Sequence, residues 1–231
     1  MTCGSLNTSE QSRWQTVEES LLASLRCQPL LIVIRPEQSD LEGEDSESPL
    51  LQQIADLHRC GLRHLEIAWA DHPGWIDFVV RVRAVCPGVH LGAASVTTAT
   101  ALDGVAASGL HFAMSPCLDP GLLQAARSSG MLLVPGVFSP TEILQAVGFG
   151  CHLVKLFPAC NVGPDYLRRL KDPLGTLPEV IAAGGLDVAD LQPWLSAGHA
   201  AVALGRRVVG PSGVDPALRR WLVDVRPECY R

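Results

Sequence analysis

Cys151-His152-Leu153-Val154-Lys155-Leu156-Phe157-Pro158-Ala159 is an apolar run with one lysine at its centre. Gly150 and Pro158 bound it, and a short apolar run so bounded reads as a β-strand covered on both faces. Strands of that kind belong to parallel sheets sheathed in helices. The lysine is out of place there, because a buried ammonium must be paired or lose its proton. It is also scarce: of 18 basic residues only Lys155 and Lys171 are lysines. A desolvated lysine attacks carbonyl carbon to form a Schiff base, which a permanently protonated arginine cannot do. The same lysine at a strand's mouth can instead carry its head out to water. The strand by itself leaves both readings open.

On either side of this strand the chain alternates. A leading helix over 14–26 precedes strand 29–35. Helix 49–60, strand 64–70, helix 74–85, strand 90–96 and helix 97–108 follow. Strand 110–115, helix 119–129, strand 131–137 and helix 139–148 lead to the lysine strand. After it come helix 164–171, strand 179–183, helix 187–197, strand 200–205 and helix 215–224. Asp119-Pro120 and Ser139-Pro140-Thr141-Glu142 are N-terminal signatures, the second a capping box. Eight strands alternating with eight helices predict an α/β fold, a (β/α)8 TIM barrel with an extra N-terminal helix. A doubly wound open sheet is the competitor, but no G-x-G-x-x-G follows the first strand. The expected organisation is one barrel domain over 1–231, with residues 1–13 a flexible tail. Residues 37–48 hold six acidic residues and read as a solvated loop.

Composition excludes several classes. The chain has 231 residues, 47% hydrophobic and 18% charged, enough for one large core. Net charge is −6 with no basic stripe, so nucleic acid is not an expected partner. No apolar run approaches the roughly 20 residues that span a bilayer. Met1 to Gln15 is polar, without the apolar core of a signal peptide. Eight cysteines are scattered singly and read as mostly buried free thiols of a cytoplasmic protein. No His, Cys and Asp cluster has metal-ligand spacing, and Asp71-His72 reads as a loop. Neither a metal nor a cofactor is expected.

In a barrel, chemistry collects at the C-terminal ends of the strands. Those ends carry Arg35, Glu66, Ser95, Ser115-Pro116, Pro135-Gly136, Lys155 with Phe157, Gly184-Gly185 and Gly205-Arg206-Arg207. Glu66, inside His-Leu-Glu-Ile-Ala-Trp-Ala, is a second buried charge. Burial raises a carboxyl pKa towards neutrality, which suits general acid–base work. A structural Glu66–Lys155 ion pair is the plainer alternative, though such pairs stabilise poorly. Gly184-Gly185 before an Asp187-capped helix reads as a turn or as an anion site, with Arg206 and Arg207 supplying charge.

These pieces together resemble the 2-keto-3-deoxy-6-phosphogluconate (KDPG) and 4-hydroxy-2-oxoglutarate aldolase family, over roughly residues 17–224. Val154-Lys155-Leu156-Phe157-Pro158-Ala159 is similar to its Schiff-base segment, and Gly61-x-x-x-Leu65-Glu66 to the segment of its acid–base glutamate. Gly92-Ala-Ala-Ser95-Val, Ser115-Pro116, Val134-Pro135-Gly136-Val137 and Ala183-Gly184-Gly185-Leu186 match in order. The resemblance implies a class I aldolase with Lys155 and Glu66 catalytic. Arg35, Ser95, Pro116, Phe157, Gly184, Gly185, Gly205, Arg206 and Arg207 are then the substrate-binding candidates. It implies a small 2-keto acid substrate, phosphorylated, cleaved to pyruvate and an aldehyde, and a homotrimer. The chain departs from the family at Ala70, where KDPG-specific members carry a carboxylate-binding arginine, and at Ala183, Arg206-Arg207 and the acidic 37–48 segment. The 4-hydroxy-2-oxoglutarate and galacto-epimer activities therefore stay open beside KDPG cleavage. So do two other classes: a phosphate-binding isomerase or synthase barrel, and an inactive binding module.

Overall fold

The structure, a computed structural model, describes residues 8–43 and 48–225. Part of the expected 1–13 tail, part of the 37–48 loop, and Cys3 and Cys229 lie outside the described residues. Parallel strands β1 (Leu30–Ile34), β2 (His64–Ala68), β3 (His90–Ala94), β4 (Phe112–Met114), β5 (Leu132–Val134), β6 (Gly136–Val137), β7 (Leu153–Leu156), β8 (Glu179–Ala183) and β9 (Ala201–Leu204) form one sheet. Its order is β5-β4-β3-β2-β1-β9-β8-β7-β6. The two ends of that order, β5 and β6, are one continuous piece of chain, so the sheet returns on itself as a barrel. The expected fifth strand is two because Pro135 has no N–H for the ladder. Its carbonyl instead accepts from the Lys155 N–H at 2.9 Å. Before the break the chain pairs with β4, and after it with β7.

The helices are α1 (Thr8–Cys27), α2 (Gln38–Glu42), α3 (Pro49–Arg59), α4 (Trp75–Val85), α5 (Ala99–Ala107), α6 (Pro120–Ser128), α7 (Pro140–Gly148), α8 (Tyr166–Leu174), α9 (Leu191–Ser196) and α10 (Pro216–Asp224). Thr98, Asp119 and Ser139 cap their helices as expected, each side chain accepting the N–H three residues on. Asp187 caps a short 3-10 turn, Val188–Asp190, that runs into α9. A small antiparallel hairpin, β10 (Val209–Gly210) and β11 (Gly213–Val214), precedes α10.

Three expectations need correction. The leading helix starts at Thr8, inside the stretch read as a tail. Residues 37–48 are not simply a solvated loop: Gln38–Glu42 is helical, with Asp40 and Leu41 buried. The cysteines are not mostly buried, since among the described ones only Cys86 and Cys151 are, while Cys117 and Cys160 are exposed.

The core has two parts. One lies between the sheet and its helices, around Trp75, Phe78, Leu57 and Trp194. The other fills the barrel, where Leu31, Phe112, Met114, Leu132, Val134, Leu153 and Ile181 meet Trp14, Leu21 and Leu25 of α1. Helix α1 thus plugs the N-terminal end of the barrel, which leaves the C-terminal end as the open mouth. His64 joins the plug to the sheet: its Nδ1 lies 3.0 Å from the Leu30 carbonyl and its Nε2 2.7 Å from Ser24 Oγ on α1. Nδ1 donates to the carbonyl, so Nε2 accepts from the hydroxyl, and the ring is neutral.

Burial first, and the neighbouring His90 second, push His64 down to about 3 from its ordinary 6.5. Between those values the unfolded chain binds the proton and the folded chain does not, so His64 costs stability as pH falls from 6.5 towards 3. Urea unfolding of wild type and His64→Gln at several pH values should show this. The variant is less stable at pH 7, and its stability falls less steeply below pH 6, by up to about 1.4 kcal/mol per pH unit. Parallel pH dependences would show that His64 does not titrate on unfolding.

Candidate active site

Side chains alternate across a strand, so residues two apart share a face. In β7, Leu153 belongs to the barrel interior, and Lys155 and Phe157 follow it towards the mouth. In β2, His64 lies at the plugged end and Glu66 two residues nearer the mouth. In β1, Leu31 and Val33 lead to Arg35 in the same way. Register sets Lys155 between Gly136 and Ile181, and Glu66 between Val33 and Gly92. Gly92 leaves room that the Phe112 ring fills, since a Cβ there would stand 2.1 Å from the ring. The apolar floor of the site therefore comes up directly beside Glu66.

All eleven candidate residues line one cavity of about 290 Å³ at the mouth: Arg35, Glu66, Ser95, Pro116, Lys155, Phe157, Gly184, Gly185, Gly205, Arg206 and Arg207. A larger cavity, about 590 Å³, opens at the opposite end between α1 and the starts of β3 and β4. Its walls hold Arg83, His90 and His111 but no lysine or carboxylate, so it lacks the chemistry found at the mouth.

Lys155 is 6% exposed and Glu66 1% exposed. Neither Glu66 carboxylate oxygen has a hydrogen-bond partner among the described residues, so a direct Glu66–Lys155 ion pair is not formed. Burial pushes Glu66 up to about 7, against the pull of Lys155 and Arg35. Burial likewise pushes the Lys155 ammonium below its ordinary range, with Glu66 opposing. The Lys155 nitrogen lies 5.7 Å from the centre of the Phe157 ring. An amine shifted towards its neutral form and an acid poised near neutrality thus share one small cavity, the arrangement that carbonyl addition with proton transfer requires.

The rim is polar and positive. Arg35 Nη1 donates to Ser95 Oγ at 3.1 Å, across the mouth from strand to strand. Ser95 has φ +63°, a left-handed conformation that turns the chain from β3 towards α5. Ala70, at the position where the resemblance places a carboxylate-binding arginine, is outside the cavity lining, whereas Arg35 is part of it. At the Gly184-Gly185 turn both residues have positive φ. A Cβ on Gly184 would press on the Phe157 ring at 2.9 Å, and one on Gly185 would meet Cys160 Sγ at 2.3 Å. Close packing therefore demands these glycines whatever the turn binds. Arg207 reaches Asp187 at 3.6 Å, which partly neutralises it.

Cys117 is a residue that the sequence reading leaves out of the site, yet it lies close enough to Lys155 to bear on it electrostatically. It is exposed, and its N–H donates to Ser115 Oγ at 3.2 Å. The available signal was position, one residue beyond Pro116 at a strand's C-terminal end. Asp71-His72 is a loop, as expected, with His72 Nδ1 accepting from the Gly74 N–H. Among the described residues no group of three or more His, Cys, Asp or Glu is placed to hold a metal ion.

Known proteins point the same way. A probable 2-dehydro-3-deoxy-6-phosphogalactonate aldolase of Rhizobium meliloti is 27% identical over 183 residues, which span 79% of this chain and 82% of that enzyme. A 2-dehydro-3-deoxy-6-phosphogalactonate aldolase of Escherichia coli is 31% identical over 115 residues, 50% of this chain and 56% of that one. The crystal structure of 2-keto-3-deoxy-6-phosphogluconate aldolase from Zymomonas mobilis superposes with a TM-score of 0.72 at 24% identity, over 90% of this chain and 95% of that one, a likeness of fold. The protein is an aldolase, a carbon–carbon lyase built on a parallel barrel. More narrowly, it belongs to the KDPG and KHG aldolase family, whose profile matches residues 24–216.

The buried carboxyl should be a stability liability. Folding raises the Glu66 pKa from 4.5 to about 7, so the group favours the fold at low pH and loses that advantage as pH rises through 7. Glu66→Gln is therefore expected to match wild type in urea unfolding near pH 4.5 and to exceed it by roughly 2–3 kcal/mol at pH 8. A gap independent of pH would show that Glu66 is not held in a raised state.

Proposed function

We propose that the protein is a class I aldolase that cleaves or forms a 2-keto-4-hydroxy acid through a Schiff base on Lys155. One observation carries the reading: a buried lysine and a buried, unpaired carboxyl share the mouth cavity without forming an ion pair. The neutral Lys155 amine adds to the C2 ketone, and loss of water gives a protonated imine that accepts electrons. Glu66 takes the C4 hydroxyl proton, through water or directly, and the C3–C4 bond breaks. The aldehyde leaves, and pyruvate remains on Lys155 as an enamine. Glu66 returns the proton to the enamine carbon, and hydrolysis frees pyruvate and Lys155.

In this reading Arg35, steadied by Ser95, holds the substrate carboxylate that Ala70 cannot reach. Pro116 and Phe157 shape the pyruvyl pocket. Gly184, Gly185, Gly205, Arg206 and Arg207 form the phosphate end, with Arg206 the stronger contributor because Asp187 engages Arg207. The substrate we favour is KDPG, giving glyceraldehyde 3-phosphate; the galacto epimer and 4-hydroxy-2-oxoglutarate are the alternatives, and the relatives named above include enzymes of the galacto type. A role in Entner-Doudoroff carbohydrate breakdown would follow from KDPG cleavage. A cytoplasmic homotrimer fits the family resemblance. Exposed Phe138, Leu144, Val147 and Phe149, on or beside α7, supply an apolar face for contact between copies. Among the described residues no helix is long and apolar enough to cross a membrane.

Borohydride added to enzyme and pyruvate should fix a pyruvyl group on Lys155, located by peptide mass spectrometry. Label on Lys171, or none, defeats the proposal and favours an isomerase, a synthase or a binding module. Lys155→Arg should abolish both label and turnover. Glu66→Gln should keep the label while turnover drops by roughly 10²–10⁴-fold. In wild type, kcat/KM for cleavage should fall as pH drops below about 7, where Glu66 becomes protonated. An unchanged acid limb in the Glu66→Gln remnant would assign that limb to another group.

A further inference from the structure

A second cavity, about 420 Å³, adjoins the mouth cavity, and Arg35 and Arg206 line both. Two of its walls come from parts of the chain that the barrel itself does not require. Glu37, Ser39 and Asp40 form one side, Val209, Gly210 and Pro211 of the hairpin the other, and Pro49, Leu50 and Gln53 of α3 the floor. Ile34, at the end of β1, completes it.

The walls are fixed in place. Leu41 is buried, and its carbonyl packs so closely over Gly74 that a Cβ there would stand 2.1 Å away. Arg81 of α4 donates to the Asp40 carbonyl, and Asp40 Oδ2 accepts the Glu37 N–H at 2.9 Å. Across the cavity Gln53 Nε2 donates to the Gly210 carbonyl at 3.2 Å, tying the hairpin to α3. A surface insertion with no role would not need to be held by a buried leucine and a borrowed arginine.

We infer that this cavity is a second subsite for the aldehyde half of the substrate. Resting on the aldolase reading above, it extends the substrate class to 2-keto-4-hydroxy acids with a longer, uncharged aldehyde half. The chemistry of the walls sets that class. Ile34, Pro49, Leu50, Val209 and Pro211 offer apolar surface, and Gln53 and Ser39 can meet an occasional hydroxyl. Glu37 and Asp40 repel an anion at the far end, while Arg35 and Arg206 keep the anionic groups of the substrate at the junction. The reaction is unchanged: the enamine carbon of pyruvate on Lys155 attacks the aldehyde carbon, and the new C–C bond forms. The carbonyl electron pair moves to oxygen, which takes the proton from Glu66, and water releases the product.

The test measures aldol addition of pyruvate to propanal, butanal, hexanal and octanal. Wild-type kcat/KM is expected to rise at least tenfold from propanal to hexanal. Ser39→Trp and Pro211→Trp, at exposed positions on opposite walls, should each erase that rise, costing hexanal far more than propanal. A flat response to chain length in wild type, or equal losses for propanal and hexanal in both variants, overturns the subsite. Trapping of the pyruvate imine on Lys155 is run in parallel. If the imine forms and length has no effect, the subsite alone fails; if no imine forms, the aldolase reading fails and the subsite with it.

Discussion

Everything at the mouth of this barrel depends on desolvation of two groups that water would otherwise keep charged. Lys155 and Glu66 lie in strands whose neighbours above and below are apolar, and neither is stabilised by a contact ion pair. Removal from water disfavours the ammonium in one and the carboxylate in the other, moving each towards its neutral form. A contact pair would do the opposite, holding both charges and leaving neither able to change state. The distance between the two strands around the barrel is thus as important as the residues themselves. The plug formed by α1 serves the same end, because it shuts water out of the barrel from below.

Much of this was legible in the chain. Apolar runs separated by capped helices state the barrel plainly, since strands covered on both faces leave no alternation to misread. The two buried charges, Lys155 and Glu66, were legible for a related reason: a charge inside such a run has few structural uses. What escaped was set by tertiary contact. The break at Pro135 needs knowledge that one stretch pairs with β4 and then with β7. Helix α2 sits in a segment whose six acidic residues outweigh its one leucine in any reading of composition, yet Leu41 docks. Cys117 and Cys160 sit in apolar-looking company, and only the turn geometry at the strand ends exposes them.

The departures from the family pattern are better understood together than one by one. In the proposed binding mode Arg35, at the mouth and linked to Ser95, takes the place of an arginine at position 70. Arg35 comes from β1, and the segment immediately after β1 is the acidic insertion, which lines the second cavity beside it. Arg206, in place of a small residue after β9, stands at the same junction. Two of the departures, in separate parts of the chain, therefore converge on one quarter of the rim, between β1 and β9, which pair directly in the barrel. Chance insertions and substitutions on a barrel have no reason to gather on adjoining strands. Given the chemistry proposed for Lys155 and Glu66, their convergence beside the mouth cavity bears on what the chain admits to that site, not on the reaction performed there.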